Sequence, residues 1–405
     1  MLWTKNTNTI TPKHANTTLF DLLLNADVYA PEPLGLRHLL VCAGKIVYLG
    51  ETVPAMDEVL GTQTTDLEGR RLMPGIIDGH VHVTGGGGEA GLHTSVPPVP
   101  LGQFTKNGVT TVVGVLGTDD VVRTTASLVA RVRALREEGL SAYGHTGGYH
   151  LPPMTLTGGV RSDIVHIDCL IGFGELAISD HRSSQPTLDE VLRVASECHV
   201  AGLMTGKAGI LHLHLGDGPR GLDLVRRALD TAELPPRVFN PTHVNRRKAL
   251  FDEACALAQR GCTIDVSAFP VADDEDAWSA ADALACYLDA GLPPERITVS
   301  SDCGGALPVH DAQGQVVSMG YGTLGGLVET IRALLEAGRP LDQILPAFTA
   351  NAARLLRLKN KGKVAVGADA DLVVLDAEHR IRDVMACGVW HVRDGVQRVF
   401  GTFEV

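Results

Sequence analysis

The sequence has few features of nucleic-acid-binding or membrane proteins. Aromatic residues make up only 4% of the 405 residues, and no block of Lys and Arg interrupts a chain whose net charge is −12. Both observations argue against a nucleic-acid partner, because such a partner is bound by basic patches and by stacking on aromatic rings. No apolar run approaches the roughly 20 residues that a membrane-spanning helix needs. We therefore expect neither a nucleic-acid partner nor a membrane span.

Paired cysteines and a secretion signal are missing as well. The eight cysteines form no C-x-x-C pair, and scattered thiols are typical of a reducing compartment. Residues 1–18 are polar and lack the apolar segment of a signal peptide, so we expect a loose tail there. These absences predict a cytoplasmic protein. The remaining composition, 44% hydrophobic and 20% charged, is ordinary for a globular chain.

Both ends of the chain contain short stretches that alternate apolar and polar residues and break at Gly and Pro, which is typical of β-strands. They occupy residues 19–72 and 367–405. Because the two ends share this character, we predict one small β-sandwich domain built from both termini, with residues 1–74 and 346–405 as its two parts.

The middle of the chain, residues 75–345, alternates β-branched stretches with amphipathic helical stretches. The eight predicted strands lie near residues 76–83, 109–116, 140–147, 170–178, 210–215, 237–243, 262–267 and 296–302. The clearest predicted helices are 121–139, 223–233, 248–261 and 280–291. This order predicts the α/β fold of a (β/α)₈ TIM-like barrel, whose chemistry lies at the carboxyl ends of its strands. A doubly wound open sheet is the alternative, although no G-x-G-x-x-G fingerprint opens the first helix.

His80 and His82 stand two residues apart on the first predicted strand of the barrel. Side chains two apart on a strand face the same side, so the two imidazoles form a pair suited to binding a metal ion. Glycines 85–88 follow, and they let the backbone approach a ligand directly before the lone acid Glu89. The alternative is that two histidines happen to lie near a Gly-rich turn, but the histidines further along the chain favour a metal site.

Polar residues also stand at the ends of the later predicted strands. They are Tyr149, Glu175, Asp180, His181, Arg182, His212, His214, His243, Arg246 and Asp302. In a barrel these ends meet at one rim. Imidazole and carboxylate ligands without thiolate suit zinc or a similar divalent ion. The candidate ligands, which exceed the four that one tetrahedral ion needs and so predict two ions, are His80, His82, Glu175, His214, His243 and Asp302.

Such a site would activate water and polarise a carbonyl group. Asp302 could take the proton of the water and return it to a leaving amine, and Tyr149 could help to hold the oxyanion.

Several stretches together resemble a known family. They are PGIIDGHVHVTGGGGEAG, TTVVGVLGTD, TGGYHLP, AISDHRS, PTHVNR and TVSSD. The chain is similar along nearly its whole length to the amidohydrolase superfamily, and within it to the bacterial isoaspartyl (β-aspartyl) dipeptidases. The resemblance implies a metallopeptidase that uses two divalent ions, expected to be zinc, to cleave the β-aspartyl bond of isoaspartyl dipeptides. It also implies a high-order homo-oligomer such as an octamer.

The resemblance also assigns roles to individual residues. His80 and His82 would bind the more buried ion, His214 and His243 the other, and Asp302 would be a ligand and the proton shuttle. Tyr149 would polarise the scissile carbonyl. The remaining substrate contacts that it implies are Glu89 for the ammonium group, with Gly87 and Thr118 near it, and Arg182 and Arg246 for the carboxylates. One free acid and two arginines match the one ammonium and two carboxylates of such a dipeptide.

Two positions depart from the family. A carboxylated lysine bridges the ions there, and Glu175 occupies the aligned position here; we predict that Glu175 bridges the ions directly. The alternative is that Glu175 pairs locally and the site holds one ion or binds weakly. Lys207, the nearest other lysine, lies in a turn before the fifth strand and is a poor substitute. Ala306 stands where the family has a serine that helps to bind substrate, and this leaves the exact substrate open.

Other conspicuous residues are expected to have no catalytic role. His212 shares a face with His214 but has no counterpart in the resemblance, and Cys303 lacks the His/Asn arrangement of a thiol nucleophile. The remaining histidines near the rim are His145, His150 and His181. Two alternative functions stay open, namely a hydrolase of another N-acyl amino acid or cyclic amide, and a metal-free relative without catalytic activity.

Overall fold

The computed structural model describes residues 19–57, 60–310 and 316–404. The predicted loose tail, residues 1–18, lies outside the described residues. No helix formed by the described residues is long and apolar enough to cross a membrane.

Eight strands form where the β-branched stretches predict them. They are β6 (Ile76–Val81), β7 (Val109–Gly114), β8 (Ser141–Thr146), β9 (Leu170–Ile178), β10 (Ile210–Leu215), β11 (Phe239–Thr242), β12 (Ile264–Ser267) and β13 (Ile297–Ser300). Nearly all their residues are buried, as in parallel strands covered on both faces.

These strands are parallel and follow one another in sequence order. β6 to β11 form a six-stranded sheet, and β12 pairs with β13. The chain just after β13 returns to the first strand, because Val81 forms a parallel bridge with Cys303 and the His82 N–H donates to the Cys303 carbonyl at 2.8 Å. The parallel sheet is therefore curled so that its first and last strands approach each other, which is consistent with a TIM-like barrel.

Helices connect most of the strands and cover the curled sheet with one continuous apolar core. Among the described residues they are α1 (Leu101–Lys106), α2 (Thr125–Glu137), α3 (Val160–His166), α4 (Leu188–Thr205), α5 (Asp223–Thr231), α6 (Lys248–Gln259), α7 (Ala280–Asp289), α8 (Gly325–Glu336), α9 (Leu341–Phe348) and α10 (Ala350–Leu355). α4 shows why they form where they do. Thr187 and Glu190 cap its first turn reciprocally, and Gly206 ends it at φ 74°.

Strands from both ends of the chain meet in one nine-stranded sheet. Its strands are β1 (Phe20–Tyr29), β2 (Pro33–Cys42), β3 (Lys45–Gly50), β4 (Gln63–Asp66), β5 (Arg71–Pro74), β16 (Leu372–Leu375), β17 (Ile381–Ala386), β18 (Val389–Arg393) and β19 (Val396–Gln397). The two ends join where β5 pairs antiparallel with β16, with Met73 opposite Val373. The terminal strands thus share a sheet, whereas a two-layered sandwich and the domain boundaries after residues 74 and 345 stay predictions.

The sequence pattern did not predict an antiparallel hairpin that follows β13. Its strands are β14 (Ala306–His310) and β15 (Val316–Tyr321). Most residues of β15 are exposed, so the strand has no buried face to produce an apolar–polar alternation. The hairpin places Ala306 at the same rim as the metal-ligand candidates.

Candidate metal centre

The six predicted metal ligands lie together at the carboxyl ends of the parallel strands. All six are buried, with relative exposures between 0% and 6%. They are His80 on β6 and His82 just after it, Glu175 on β9, His214 on β10, His243 directly after β11, and Asp302 after β13. The alternation of the first strand puts two imidazoles on one side as predicted, since the Nε2 atoms of His80 and His82 are 3.4 Å apart.

Glu175 contacts all four histidines of this cluster. Its Oε1 lies 3.4 Å from His82 Nε2. Its Oε2 lies 2.8 Å from His214 Nδ1, 3.4 Å from His243 Nε2 and 3.6 Å from His80 Nε2. One carboxylate therefore stands between the two pairs of histidines.

The residue before Glu175 must be glycine. A Cβ on Gly174 would lie 2.7 Å from His212 Cβ on the neighbouring strand, and φ at this position is 152°. The close approach of the two strands brings Glu175 towards the histidines of β10 and β11.

Asp302 completes the cluster from the other side. Its Oδ1 lies 3.2 Å from His82 Nε2 and 3.4 Å from His80 Nε2. Asp302 and His243 adopt left-handed φ values of 54° and 59°, which cost roughly 1–3 kcal/mol for residues other than glycine and persist mainly at functional sites. The backbone is thus held in a costly conformation at two candidate ligands.

The donor atoms form overlapping sets that could hold a metal ion. Three sets have all their donor atoms within 4.8 Å of one another, namely His80, His82 and Glu175; His80, His243 and Asp302; and Glu175, His214 and His243. His80, Glu175 and His243 each belong to two of these sets, so the sets overlap in a single cluster. Nitrogen and oxygen donors without sulfur suit zinc and similar divalent ions.

The charges of the cluster also favour a cation. Burial would raise the pKa of Glu175, but His80 and His214 outweigh it and hold that pKa well below its usual range. Burial would lower the pKa of His80, but the charges of Glu175 and Asp302 outweigh it and raise that pKa to about 9. Two buried carboxylates need positive charge beside them, and divalent ions can supply it in place of a proton.

Two of the candidate ligand histidines have outer partners that orient their rings. His243 Nδ1 is 2.6 Å from Ser267 Oγ. His214 Nε2 is 2.6 Å from the Tyr149 hydroxyl and 3.2 Å from Asp180 Oδ2. Such partners fix the ring orientation of a ligand, and a carboxylate, which can only accept, also fixes its tautomer. The sequence did not assign these roles to Ser267 or Asp180, although Asp180 stands in a segment that it singled out.

A pocket of about 450 Å³ opens over the cluster. Its walls include all the predicted substrate contacts, namely Gly87, Glu89, Thr118, Tyr149, Arg182, Arg246 and Ala306. Residues that the sequence did not single out line the rest of the pocket; they include Phe269, Ala277, Leu307, Pro308 and Val316 on its apolar part, and Glu275 and Asp217. The pocket thus combines charged groups with an apolar surface near the β14–β15 hairpin.

Arg182 is held in this pocket by three groups. Its guanidinium donates to Asp180 Oδ2 at 2.8 Å and to the Tyr149 hydroxyl at 3.2 Å, and it lies 3.4 Å from Glu89 Oε1. Burial would lower its pKa, but Tyr149, Asp180 and Glu89 outweigh it and raise that pKa above its usual value. Arg182 therefore remains a cation beside the predicted metal ligands.

Two residues that the sequence set aside lie outside the metal cluster. The Lys207 ammonium donates to the carbonyls of Ile164 and Ile167 at 2.5 and 2.7 Å, at the amino ends of the strands. Burial raises the pKa of Cys303 to about 12, which disfavours the thiolate form that a nucleophile needs.

The remaining rim histidines differ in their surroundings. His150 Nδ1 is 3.0 Å from Asp120, and His181 is exposed with its Nδ1 3.7 Å from Asp180. His145 is buried, and neither of its ring nitrogens has a hydrogen-bond partner among the described residues. None of the three belongs to the cluster around Glu175 among these residues, whereas His212 contacts His80 directly.

The fold and this site are those of a metal-dependent hydrolase. A sequence model of the Amidohydrolase family matches residues 176–396, more than half of the chain, and the chain belongs to this family. The matched segment contains His214, His243 and Asp302, whereas His80, His82 and Glu175 precede it.

The similarity extends to a particular solved enzyme. The chain is 39% identical to the β-aspartyl dipeptidase of Fervidobacterium islandicum AW-1 in complex with β-Asp-Leu, over 96% of this chain and 100% of that one, with a TM-score of 0.90. This similarity confirms the resemblance inferred from the sequence. A deacetylase of Agrobacterium fabrum is 26% identical over 82% of this chain and 76% of its own length. An allantoinase of Deinococcus radiodurans is 25% identical over 88% and 86%.

Proposed function

We propose that the protein cleaves the β-aspartyl peptide bond of isoaspartyl dipeptides and that it uses two divalent ions bridged by Glu175. The observation that carries the proposal is the pocket, in which Glu89 and two arginines, Arg182 and Arg246, lie beside the carboxylate–histidine cluster. The similarity to an enzyme solved with β-Asp-Leu supports the same substrate. Zinc as the metal, a cytoplasmic location and a homo-oligomer such as an octamer stay predictions.

The charges of the substrate determine how it binds. An isoaspartyl dipeptide carries one ammonium and two carboxylates. Glu89 accepts hydrogen bonds from the ammonium, with Gly87 and Thr118 beside it, and the two arginines each take a carboxylate. Planar guanidinium groups suit this role, because they bind a carboxylate through two parallel hydrogen bonds.

Asp302 and Tyr149 act on the reacting bond. When bound, the two ions supply Lewis-acid activation of the attacking water and of the scissile carbonyl. Asp302, which lies within 3.4 Å of both histidines of the first strand, takes the proton of the water and returns it to the leaving amine. The Tyr149 hydroxyl, held beside His214 and Arg182, donates to the oxyanion as negative charge develops there.

Glu175 occupies the bridging position that a carboxylated lysine holds in the family. Its two oxygens reach histidines of both pairs, with the closest contact at 2.8 Å to His214 Nδ1, and this supports a direct bridge. A carboxylated lysine needs carbon dioxide, whereas a glutamate does not. The activity should therefore be independent of bicarbonate.

The test measures metal content and β-Asp-Leu hydrolysis on the wild type, on Glu175→Ala, and on Glu336→Ala as an exposed control. We expect two ions per chain, hydrolysis independent of added bicarbonate, and a normal control. Glu175→Ala should lose metal, and its activity should fall more than about 100-fold, since even losing an outer partner of a ligand costs 10- to 100-fold. A wild type without ions would overturn the metal centre. Two ions without cleavage of β-Asp-Leu would overturn the substrate alone.

A second candidate is the hydrolysis of another N-acyl amino acid or of a cyclic amide. It is favoured by Ala306, which provides no hydroxyl in the pocket, and by the similarity to a deacetylase and an allantoinase. A panel of N-acetyl amino acids and cyclic amides, assayed beside β-Asp-Leu, separates the two candidates. A metal-free protein without activity is not supported, because the chain belongs to a family of metal-dependent hydrolases.

A further inference from the structure

The ring nitrogen of His80 that faces away from the carboxylates begins a chain of buried polar groups. His80 Nδ1 is 2.8 Å from His212 Nε2, and His212 Nδ1 is 2.6 Å from Asn240 Oδ1. Asn240 Nδ2 in turn donates to the Thr263 carbonyl at 2.7 Å. These residues are at most 4% exposed, so bulk water does not compete for the bonds.

The Thr263 carbonyl, the last acceptor in this series, determines the direction of every hydrogen bond between it and His80. The Thr263 carbonyl can only accept, so the Asn240 amide must turn its NH₂ group towards it and its oxygen towards His212. That oxygen can only accept, which places the proton of His212 on Nδ1 and leaves Nε2 as an acceptor. His80 must then donate from Nδ1, and its Nε2 faces Glu175 and Asp302, where an ion would take the place of a proton.

We propose that His212 and Asn240 are positioning residues for metal binding, which fix His80 in the tautomer that offers Nε2 to an ion. This inference rests on the metal centre of the proposed function but not on the identity of the substrate. His212 thereby has a role in the site, although it has no counterpart in the family resemblance. A preset tautomer removes the cost of reorienting the ring when an ion binds.

Two of the other candidate ligand histidines lack such a series of hydrogen bonds. His243 faces a serine hydroxyl, which can donate or accept and therefore does not set a tautomer. His82 Nδ1 has no hydrogen-bond partner among the described residues. Among the described candidate ligands of the Glu175 cluster, His80 alone is connected to a backbone carbonyl by hydrogen bonds whose donors and acceptors are all determined.

The protein also contains a matched control for a substitution of His212. His145 is buried in the same part of the barrel, with its ring centroid 5.5 Å from that of His212. Both of its ring nitrogens lack partners among the described residues. Replacing either histidine disturbs the same core, but only His212 belongs to the hydrogen-bonded chain.

The experiment measures Zn²⁺ affinity by competition with a chromophoric chelator for wild type, His212→Leu, His212→Gln and His145→Leu. We expect about 10- to 100-fold weaker binding for His212→Leu. His145→Leu should bind as the wild type does, and His212→Gln should recover part of the loss, because an amide can accept from His80 and donate to Asn240. Equal affinity of His212→Leu and wild type would overturn the inference alone. A wild type that binds no Zn²⁺ would overturn the metal centre together with it.

A second measurement needs no variant and therefore does not depend on how the substitutions fold. ¹⁵N NMR of the Zn²⁺-loaded wild type reports which ring nitrogen of each histidine carries a proton. We expect neutral His212 with its proton on Nδ1, and His80 with its proton on Nδ1. A proton on His212 Nε2 would overturn the inference, because that nitrogen could not then accept from His80.

Discussion

Glu89 and Arg182 face each other in the pocket, with Glu89 Oε1 3.4 Å from Arg182 Nη1. Both side chains are mostly buried, at 18% and 21% exposure, and Arg182 is also anchored by Asp180. The two groups proposed to bind opposite charges of one substrate thus balance each other before it enters. A zwitterionic ligand can insert between them without leaving either charge unpaired.

Replacing Glu89 by Gln should weaken binding of the substrate ammonium. Hydrogen bonds to charged groups contribute about 1.5–3 kcal/mol, so we expect KM for β-Asp-Leu to rise about 10- to 100-fold. Steady-state kinetics measure this change. The control is N-acetyl-β-Asp-Leu, which has no ammonium and should be hydrolysed at similar rates by wild type and variant. A comparable loss on both substrates would contradict the assigned role.

Replacing Tyr149 by Phe should slow the chemical step. The change removes a hydroxyl that bonds His214 and Arg182 at 2.6 and 3.2 Å but keeps the ring. Loss of one oxyanion donor costs about 10²- to 10³-fold in kcat, and KM should change little. Metal analysis on the same sample tests the alternative. If the ions are lost in proportion to activity, Tyr149 positions His214 instead.

Replacing Ala306 by Ser should improve binding of β-Asp-Leu. A Cβ on Gly87 would lie 3.3 Å from Ala306 Cβ, so the new hydroxyl would stand close to the proposed ammonium site. One added hydrogen bond contributes about 0.5–1.5 kcal/mol, which predicts a KM about 2- to 10-fold lower. Ala306→Val adds bulk without a hydroxyl and should not lower KM. An unchanged or higher KM for the serine variant would instead favour the second candidate substrate class.

Asp369 should stabilise the fold in a pH-dependent way. Burial would raise its pKa, but Lys45 and Lys361 outweigh it and lower that pKa. The stabilisation is therefore present above the ordinary pKa of 3.8 and is lost as the pH falls through the lowered value. We expect Asp369→Asn to have a Tm a few degrees below wild type at pH 7, corresponding to about 1 kcal/mol.

Melting curves at pH 7 and at pH 3 check the sign of this effect. The difference between Asp369→Asn and wild type should shrink at the lower pH. Asp252→Asn, on the exposed face of α6, is the control and should melt like the wild type at both values. A difference that grows as the pH falls would contradict the expected charge interaction.

The local pattern of the sequence was sufficient to predict the strands and the residues that cluster at their carboxyl ends. The parallel strands are short, β-branched and buried on both faces, so the sequence predicts them without reference to their neighbours. Alternation along β6 places His80 and His82 on one side for the same local reason. Carboxyl ends of parallel strands share one rim, and this topological rule brings Glu175 and Asp302 to those histidines.

The tertiary structure alone decided which partner each of these groups has. Glu89 and Arg182 are 93 residues apart, and His80 and His212 are 132 apart, so no local pattern can link them. The sequence pattern did not predict the β14–β15 hairpin, because most residues of β15 are exposed and no buried face produces an apolar–polar alternation. Sequence periodicity determines which face of a strand a residue occupies. Ring orientation, tautomer and charge pairing depend on atoms that only the assembled barrel brings within hydrogen-bond distance.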